Sequence, residues 1–270
     1  MHLEYLGSFL KGKSNYVDLT SETIAASEQD QLLGTRFLHL LVQLMNLFYS
    51  NESIIHGCAS AVKDGARSNL GFFVHQIIPL YQLMCSSFLR LHHAFLINCA
   101  VCLMKAINQD AALHFQADIR NYTVQLSGAF VSSHSSLESM ESHPDITFEF
   151  FSLLSELLTS KKLHVTDFPQ DIMYGILLGL IRGFEVQEFM ALNSAFKFLH
   201  DLVSLASSSD SQSALKEMLL AIWSQIIEQF VKVFSLFSLI LFLEYWWRTS
   251  SINPSKIVAC IVGNVGSISE

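Results

Sequence analysis

The stretch ESHPDITFEFFSLLSELL, Glu141 to Leu158, decides how the rest of the chain is read. Ser142 is placed to cap the orphan amides of a helix start, Pro144 fits the first turn, and Asp145 complements the positive end of the dipole. Behind that start Ile146, Phe150, Leu154, Leu157 and Leu158 form one stripe, which Phe151 and Leu153 widen. The stripe is broader than one neighbour covers, so the helix is expected to face its partner and adjacent helices together. TSKK, Thr159 to Lys162, then reads as cations in the last turn, where the dipole favours them.

The same design recurs on both sides of this helix. Apolar residues at helical spacing predict helices over Gln29–Tyr49, Ile54–Arg67, Leu70–Leu89, His92–Ile107, Ala111–Val131, Asp167–Phe184, Val186–Ala206 and Ser211–Phe234. Pro79 is expected to kink the third of these by removing a backbone donor, and Pro169 falls in the first turn of the sixth. Polar breaks such as SNES and the Ser-rich SSHSSLESMES separate the helices. First helices of successive pairs begin near Ser53, His92, Pro144 and Gln187, a period of roughly 40 to 50 residues, as in HEAT or armadillo repeats. The expected fold is all-α, a HEAT/ARM-like α-solenoid of stacked antiparallel helix pairs spanning residues 28–233. Residues 1–27 read as a partly ordered N-terminal segment and 234–270 as a divergent tail. A single compact helical bundle is the alternative; the repeating period favours the solenoid, because no pair looks self-sufficient.

Composition agrees with long helices. Four prolines and twelve glycines in 270 residues are too few for the turns that sheets need. The net charge is −8, with no Lys/Arg-rich run to displace counterions from phosphates, which argues against nucleic-acid binding. Five cysteines, Cys58, Cys85, Cys99, Cys102 and Cys260, lie mostly in apolar helical runs, a usage of thiols and not a disulfide framework. The start, MHLEYLGSFLKGK, does not read as a secretory signal. VFSLFSLILFL, Val233 to Leu243, is about half the length that spans a bilayer, and Glu244 closes it, so no stable membrane insertion is expected.

Chemistry is sought without success. CAVC, Cys99 to Cys102, has the spacing of a metal or redox pair but sits inside FLINCAVCLMKAI with no second pair, and reads as buried thiols. Adjacent histidines, His92 and His93, point about 100° apart on a helix and suit capping better than chelation. Glu149, Glu156, Glu185 and Glu188 read as solvated helix faces. The glycines of LGFF and YGILLG lie within apolar helices, where close packing explains them better than a phosphate loop. Asn51 and Asn121 begin the patterns NES and NYT, read as chance glycosylation matches. No catalytic residue, cofactor site or metal site is assigned, and the chain is expected not to be an enzyme.

Together SHPDITFEFFSLLSELLTSKKL, ALNSAFKFLHDLVSLA, FFVHQIIPLYQLMCSSF and HHAFLINCAVCLMKAI resemble the importin-β superfamily (karyopherins), in its transportin-SR and importin 13 branch. The resemblance covers roughly Ile54 to Val233 and matches the C-terminal HEAT-repeat portion of those longer receptors. It implies an α-solenoid that binds protein cargo in Ran-dependent nucleocytoplasmic transport, with nucleoporins and Ran-GTP as further partners and the nucleus and cytoplasm as locations. The principal Ran-binding repeats of that family have no match here, so no cargo or Ran contact is carried over to a residue. A HEAT scaffold or adaptor unrelated to transport is the other reading. After Val233 the repeat pattern dissolves, and the apolar tail is expected either to end the stack in exposed surface that self-associates, or to pack back on the last helix.

Overall fold

In a computed structural model the described residues, 28–67, 76–107, 109–208 and 213–233, form helices joined by short turns. The elements are α1 Glu28–Leu47, α2 Glu52–Arg67, α3 Ile77–Leu91, α4 Ala94–Ala106, α5 Gln109–His114, α6 Gln116–Ser133, α7 Leu137–Ser142, α8 Pro144–Thr159, a 3-10 turn Val165–Asp167, α9 Gln170–Gly183, α10 Phe189–Ser208 and α11 Ser213–Val233. No strand occurs among these residues, so the chain is all-α. Two expected segments, 1–27 and 234–270, lie outside the described residues, as does the apolar run that follows Val233.

Helix centres fall where periodicity places them, but several ends differ. Pro79 does not kink a long helix; it stands in the first turn of α3, where the amide it lacks has no intrahelical acceptor to lose. The helix expected over Ala111–Val131 is broken at Phe115 into α5 and α6. Within the Ser-rich link lies a further helix, α7, capped where the Ser136 side chain accepts the Ser139 amide at 3.2 Å. Ser142 therefore does not cap α8. Its hydroxyl turns back to the Glu138 carbonyl at 2.8 Å, as serines at a helix end do, and His143 supplies the carbonyl that starts α8. Pro144 is the first residue of α8, with Asp145 in its first turn.

The lysines of TSKK fall outside the last turn of α8. Lys161 is left-handed, φ 57°, and its amide bonds the Leu158 carbonyl while the Lys162 amide reaches Leu157. These two bonds form a Schellman stop, with lysine in the place glycine usually takes.

The chain divides into two compact units, residues 1–129 with 152–167, and residues 130–151 with 168–270. In the first, α1 packs on α2 and α3, while α4 packs on both α2 and α3. Leu96, Ile97, Cys99, Ala100, Val101, Leu103 and Met104 are all buried, so α4 is apolar nearly all round, as a central helix must be. Tyr81 on α3 is tied to Thr123 on α6 by a 2.7 Å hydrogen bond. The one hydroxyl proton of Thr123 goes to the Ile119 carbonyl at 2.6 Å, so Tyr81 is the donor.

In the second unit α9 packs on α7, α10 and α11, and α10 on α11. Four rings link α6, α8 and α10: Phe130 stacks on Phe150 at 3.8 Å, and Phe151 on Phe198 at 5.4 Å. Gly175, Gly179 and Gly183 recur every fourth residue along α9. A Cβ on Gly175 would meet Val131 at 2.5 Å, one on Gly179 would meet Met140 at 3.4 Å, and one on Gly183 would meet Ala195 at 3.3 Å. Close packing accounts for the glycines of YGILLG, as their apolar context implies.

Two outcomes follow from this packing. Gly175→Ala should destabilise, because Val131 is branched and has to move, whereas Gly179→Ala should stabilise by up to about 1 kcal/mol through helix propensity alone. Opposite signs in urea-melt midpoints are the expected result; stabilisation by Gly175→Ala would place α9 further from Val131. Leu154 is 1% exposed, and Leu154→Asp buries an unpaired charge at a cost of several kcal/mol. An Asp variant with unchanged melting and circular dichroism would contradict that burial.

Candidate interaction surfaces

Buried thiols occupy the first unit. Cys58, Cys85 and Cys99 are each 2% exposed or less, and Cys102 is half-buried. Desolvation raises all three buried thiols above the ordinary range: Cys58 to about 11, Cys85 to about 12, and Cys99 further still. Ionisation is therefore suppressed at neutral pH, the reverse of what a nucleophilic or metal-binding cysteine requires. The Cys99 thiol instead meets the Ala59 carbonyl at 3.5 Å, which fastens α4 to α2. Among the described residues no group of three or more His, Cys, Asp or Glu side chains is placed to hold a metal.

The histidine pair is divided between two helix ends. His92 ends α3 in the left-handed region, φ 53°, its amide bonded to the Phe88 carbonyl, and His93 starts α4 in extended geometry. Both residues occupy cap positions, His92 through its backbone amide and His93 with no side-chain cap hydrogen bond. Asn51, first residue of NES, accepts the Ile54 amide on its side chain at 3.2 Å and starts α2. Asn121 is exposed on α6 and accepts from Gln125 at 3.1 Å.

The four glutamates do not form one solvated class. Glu188 caps α10, accepting the Ala191 amide at 2.7 Å. Glu156 pairs at 3.3 Å with Lys162, whose side chain is 5% exposed and whose ammonium also donates to the Met104 carbonyl. Glu149 and Glu185 are half-buried. Sequence reasoning missed Lys162, because a lysine beyond a helix end ordinarily points to water. The only available signal was its place directly after a non-glycine stop, where an apolar residue usually folds back on the helix. It also missed His134, 7% exposed, whose Nδ1 lies 3.3 Å from the Ser139 hydroxyl. That hydroxyl gives its proton to the Ser133 carbonyl, so His134 is the donor.

What faces solvent is apolar more than charged on α1. Leu32, Leu33, Leu40 and Leu47 are exposed there, followed by Phe48 and Tyr49, while Phe37, Leu41 and Met45 turn inward. Smaller exposed groups are Leu113 with Phe115, and Phe189 with Met190. None of these is a reacting group. The arrangement offers surfaces for contact with other chains. Among the described residues no helix is long and apolar enough to cross a membrane.

Comparison with protein-family models, with characterised proteins and with solved structures finds no match to the chain.

Burial of the thiols has a consequence at alkaline pH. A thiol ionises near 8.5 in the unfolded chain but near 12 for folded Cys85, so folding holds a proton the unfolded state gives up. Stability from this group is complete below about pH 8.5 and is lost as pH rises toward 12, at about 1.4 kcal/mol per pH unit. Urea melts between pH 8 and 10.5 should show stability falling with pH, and falling less steeply in Cys85→Ala. Equal slopes in the two chains would place Cys85 in contact with water.

Proposed function

We propose that the chain is a HEAT-like segment of a nuclear transport receptor of the importin-β type, binding protein cargo in Ran-dependent nucleocytoplasmic transport. Support comes first from helix packing in the first unit. With pairs beginning at α2 and α4, as the sequence period has it, first member lies on first member (α2 on α4), and the second members that precede each of them, α1 and α3, also meet. That is how repeats stack in an α-solenoid, where each pair covers the flank of the next. In an up-down bundle the main neighbours of α2 are α1 and α3; here α2 packs chiefly on α4. In the second unit α9 and α11, the second members of successive pairs, also pack together.

The transport assignment rests on the quoted segments, of which SHPDITFEFFSLLSELL is the most distinctive. Its apolar residues Ile146, Phe150, Phe151, Leu153, Leu154, Leu157 and Leu158 are all buried, as an inner repeat helix requires. Cargo would be held on the concave side of the stack, in the nucleus and cytoplasm, with nucleoporins as transient partners and Ran-GTP acting through the repeats of a longer receptor. No residue is assigned to either contact.

A pull-down from nuclear extract with the full chain tests this reading. Nucleoporins and imported nuclear proteins among the retained partners are the expected result. Retained partners that include neither would replace the transport reading with that of a HEAT scaffold or adaptor.

A further inference from the structure

The serines between α6 and α8 are not equivalent. Ser135, Ser139 and Ser142 each donate the hydroxyl proton to a carbonyl, of Val131, Ser133 and Glu138 in turn, at 2.6, 3.1 and 2.8 Å. A phosphate in place of that proton would strip the carbonyl of its donor. Ser132 and Ser133 end α6, where the carbonyls of a last turn repel negative charge. Ser136 differs. It is exposed, and its hydroxyl oxygen accepts the Ser139 amide at 3.2 Å. An acceptor role survives esterification, because the phosphate brings three acceptor oxygens of its own.

A cation stands beside Ser136. Arg182, exposed on α9, donates from Nη1 to the Ser135 carbonyl at 2.8 Å, one peptide bond from Ser136. Its guanidinium carries N–H donors in a planar fork, the geometry that matches phosphate oxygens. We propose that Ser136 is a phosphorylation site whose phosphate is held by Arg182, fastening α7 to α9. In the transfer the Ser136 hydroxyl oxygen bonds the γ-phosphorus of a nucleoside triphosphate. The bond from that phosphorus to the departing diphosphate breaks, and the hydroxyl proton passes to the kinase's base. Glu138 and Glu141, two and five residues on, suit an acid-directed protein kinase. Met140 is the buried residue of α7, so little packing is lost when the segment opens to a kinase. In the closed form Met140 lies against Gly179, three residues before Arg182, so phosphate and methionine grip the same stretch of α9. Glu138 and Glu141 repel the phosphate, but both are exposed and screened by water and salt. The inference does not depend on the transport reading.

The test compares a full chain carrying phosphoserine at position 136, installed during synthesis, with the same chain after phosphatase treatment. The Met140 and His143 amides, bonded to the Ser136 and Ser139 carbonyls, report whether α7 is closed. One charge-assisted hydrogen bond slows their hydrogen exchange about tenfold in the phosphorylated chain. Arg182→Gln should abolish that difference, and Arg182→Lys, which keeps the charge but not the fork, should retain part of it. Equal exchange with and without phosphate overturns the proposal, as does a difference that survives Arg182→Gln. Treating the full chain with an acid-directed kinase and ATP should place phosphate on Ser136, located by mass spectrometry of its fragments, and Ser136→Ala should remove it. Phosphate found only on Ser135 or Ser142, each three residues before a carboxylate (Glu138 or Asp145), overturns the proposal, as does none within residues 132–142.

Discussion

Phe130, Phe150, Phe151 and Phe198 form a run of ring contacts with centroids 3.8 to 5.9 Å apart, every ring 1% exposed or less. Consecutive residues on a helix point about 100° apart, so Phe150 and Phe151 cannot serve one neighbour. Phe150 takes Phe130 of α6, and Phe151 takes Phe198 of α10. Each buried ring contributes about 1.5–3 kcal/mol from burial, and each ring pair about 0.5–1.5 kcal/mol more. Helix α8 is thus held from two sides, which is the two-neighbour packing that its wide stripe demands. Around this run the three glycines of α9 remove side chains where Val131, Met140 and Ala195 come close.

Polar groups enter these cores only where a partner awaits them. Lys162 follows the left-handed Lys161 and is swung under the end of α8, where an apolar residue would normally sit. Its charge is met by Glu156 and by the Met104 carbonyl, so the pair is satisfied but is weak evidence for stability. Losing Glu156 alone would leave a buried cation with one carbonyl, which is worse than losing both. Tyr81 and Thr123 follow the same logic without charge: a single directed chain of protons ends on the Ile119 carbonyl. Such groups set which helices meet, since a slip of one turn would orphan a donor that has no water to turn to.

Helix centres were legible because burial has a period; the ends were not, because caps are chosen by competition among near neighbours. Ser142 carries the right side chain for a cap, yet the Glu138 carbonyl lies one turn behind it once α7 exists. Nothing in the apolar spacing announces α7, a six-residue helix with Met140 as its one buried residue. Pro79 reads as a kink only if the helix is assumed to begin well before it. Cys99 and the glycines of YGILLG were legible for the opposite reason: both sit in runs so apolar that burial outweighs any special chemistry. The leucine line of α1 could not be told from a core stripe, since Leu33, Leu40 and Leu47 share a period with Phe37, Leu41 and Met45, and only packing separates the two sets.

That ambiguity is itself informative about how the helices associate. A closed bundle directs the apolar face of each helix toward one shared axis, so an outer face rich in leucine has no purpose in it. In a stacked array each pair needs apolar surface on both flanks, and the surplus reappears at whichever helix has no further neighbour. Helix α1 carries two apolar lines: Phe37, Leu41 and Met45 are buried, on the helix that packs on α2 and α3, while Leu33, Leu40 and Leu47 are exposed. Helix α4 is the contrast within the unit, buried along most of its surface and open only on the face that carries Asn98, Cys102 and Lys105. The same residue types therefore produce a buried centre and an open flank, and the difference lies in the number of neighbours and not in the helix.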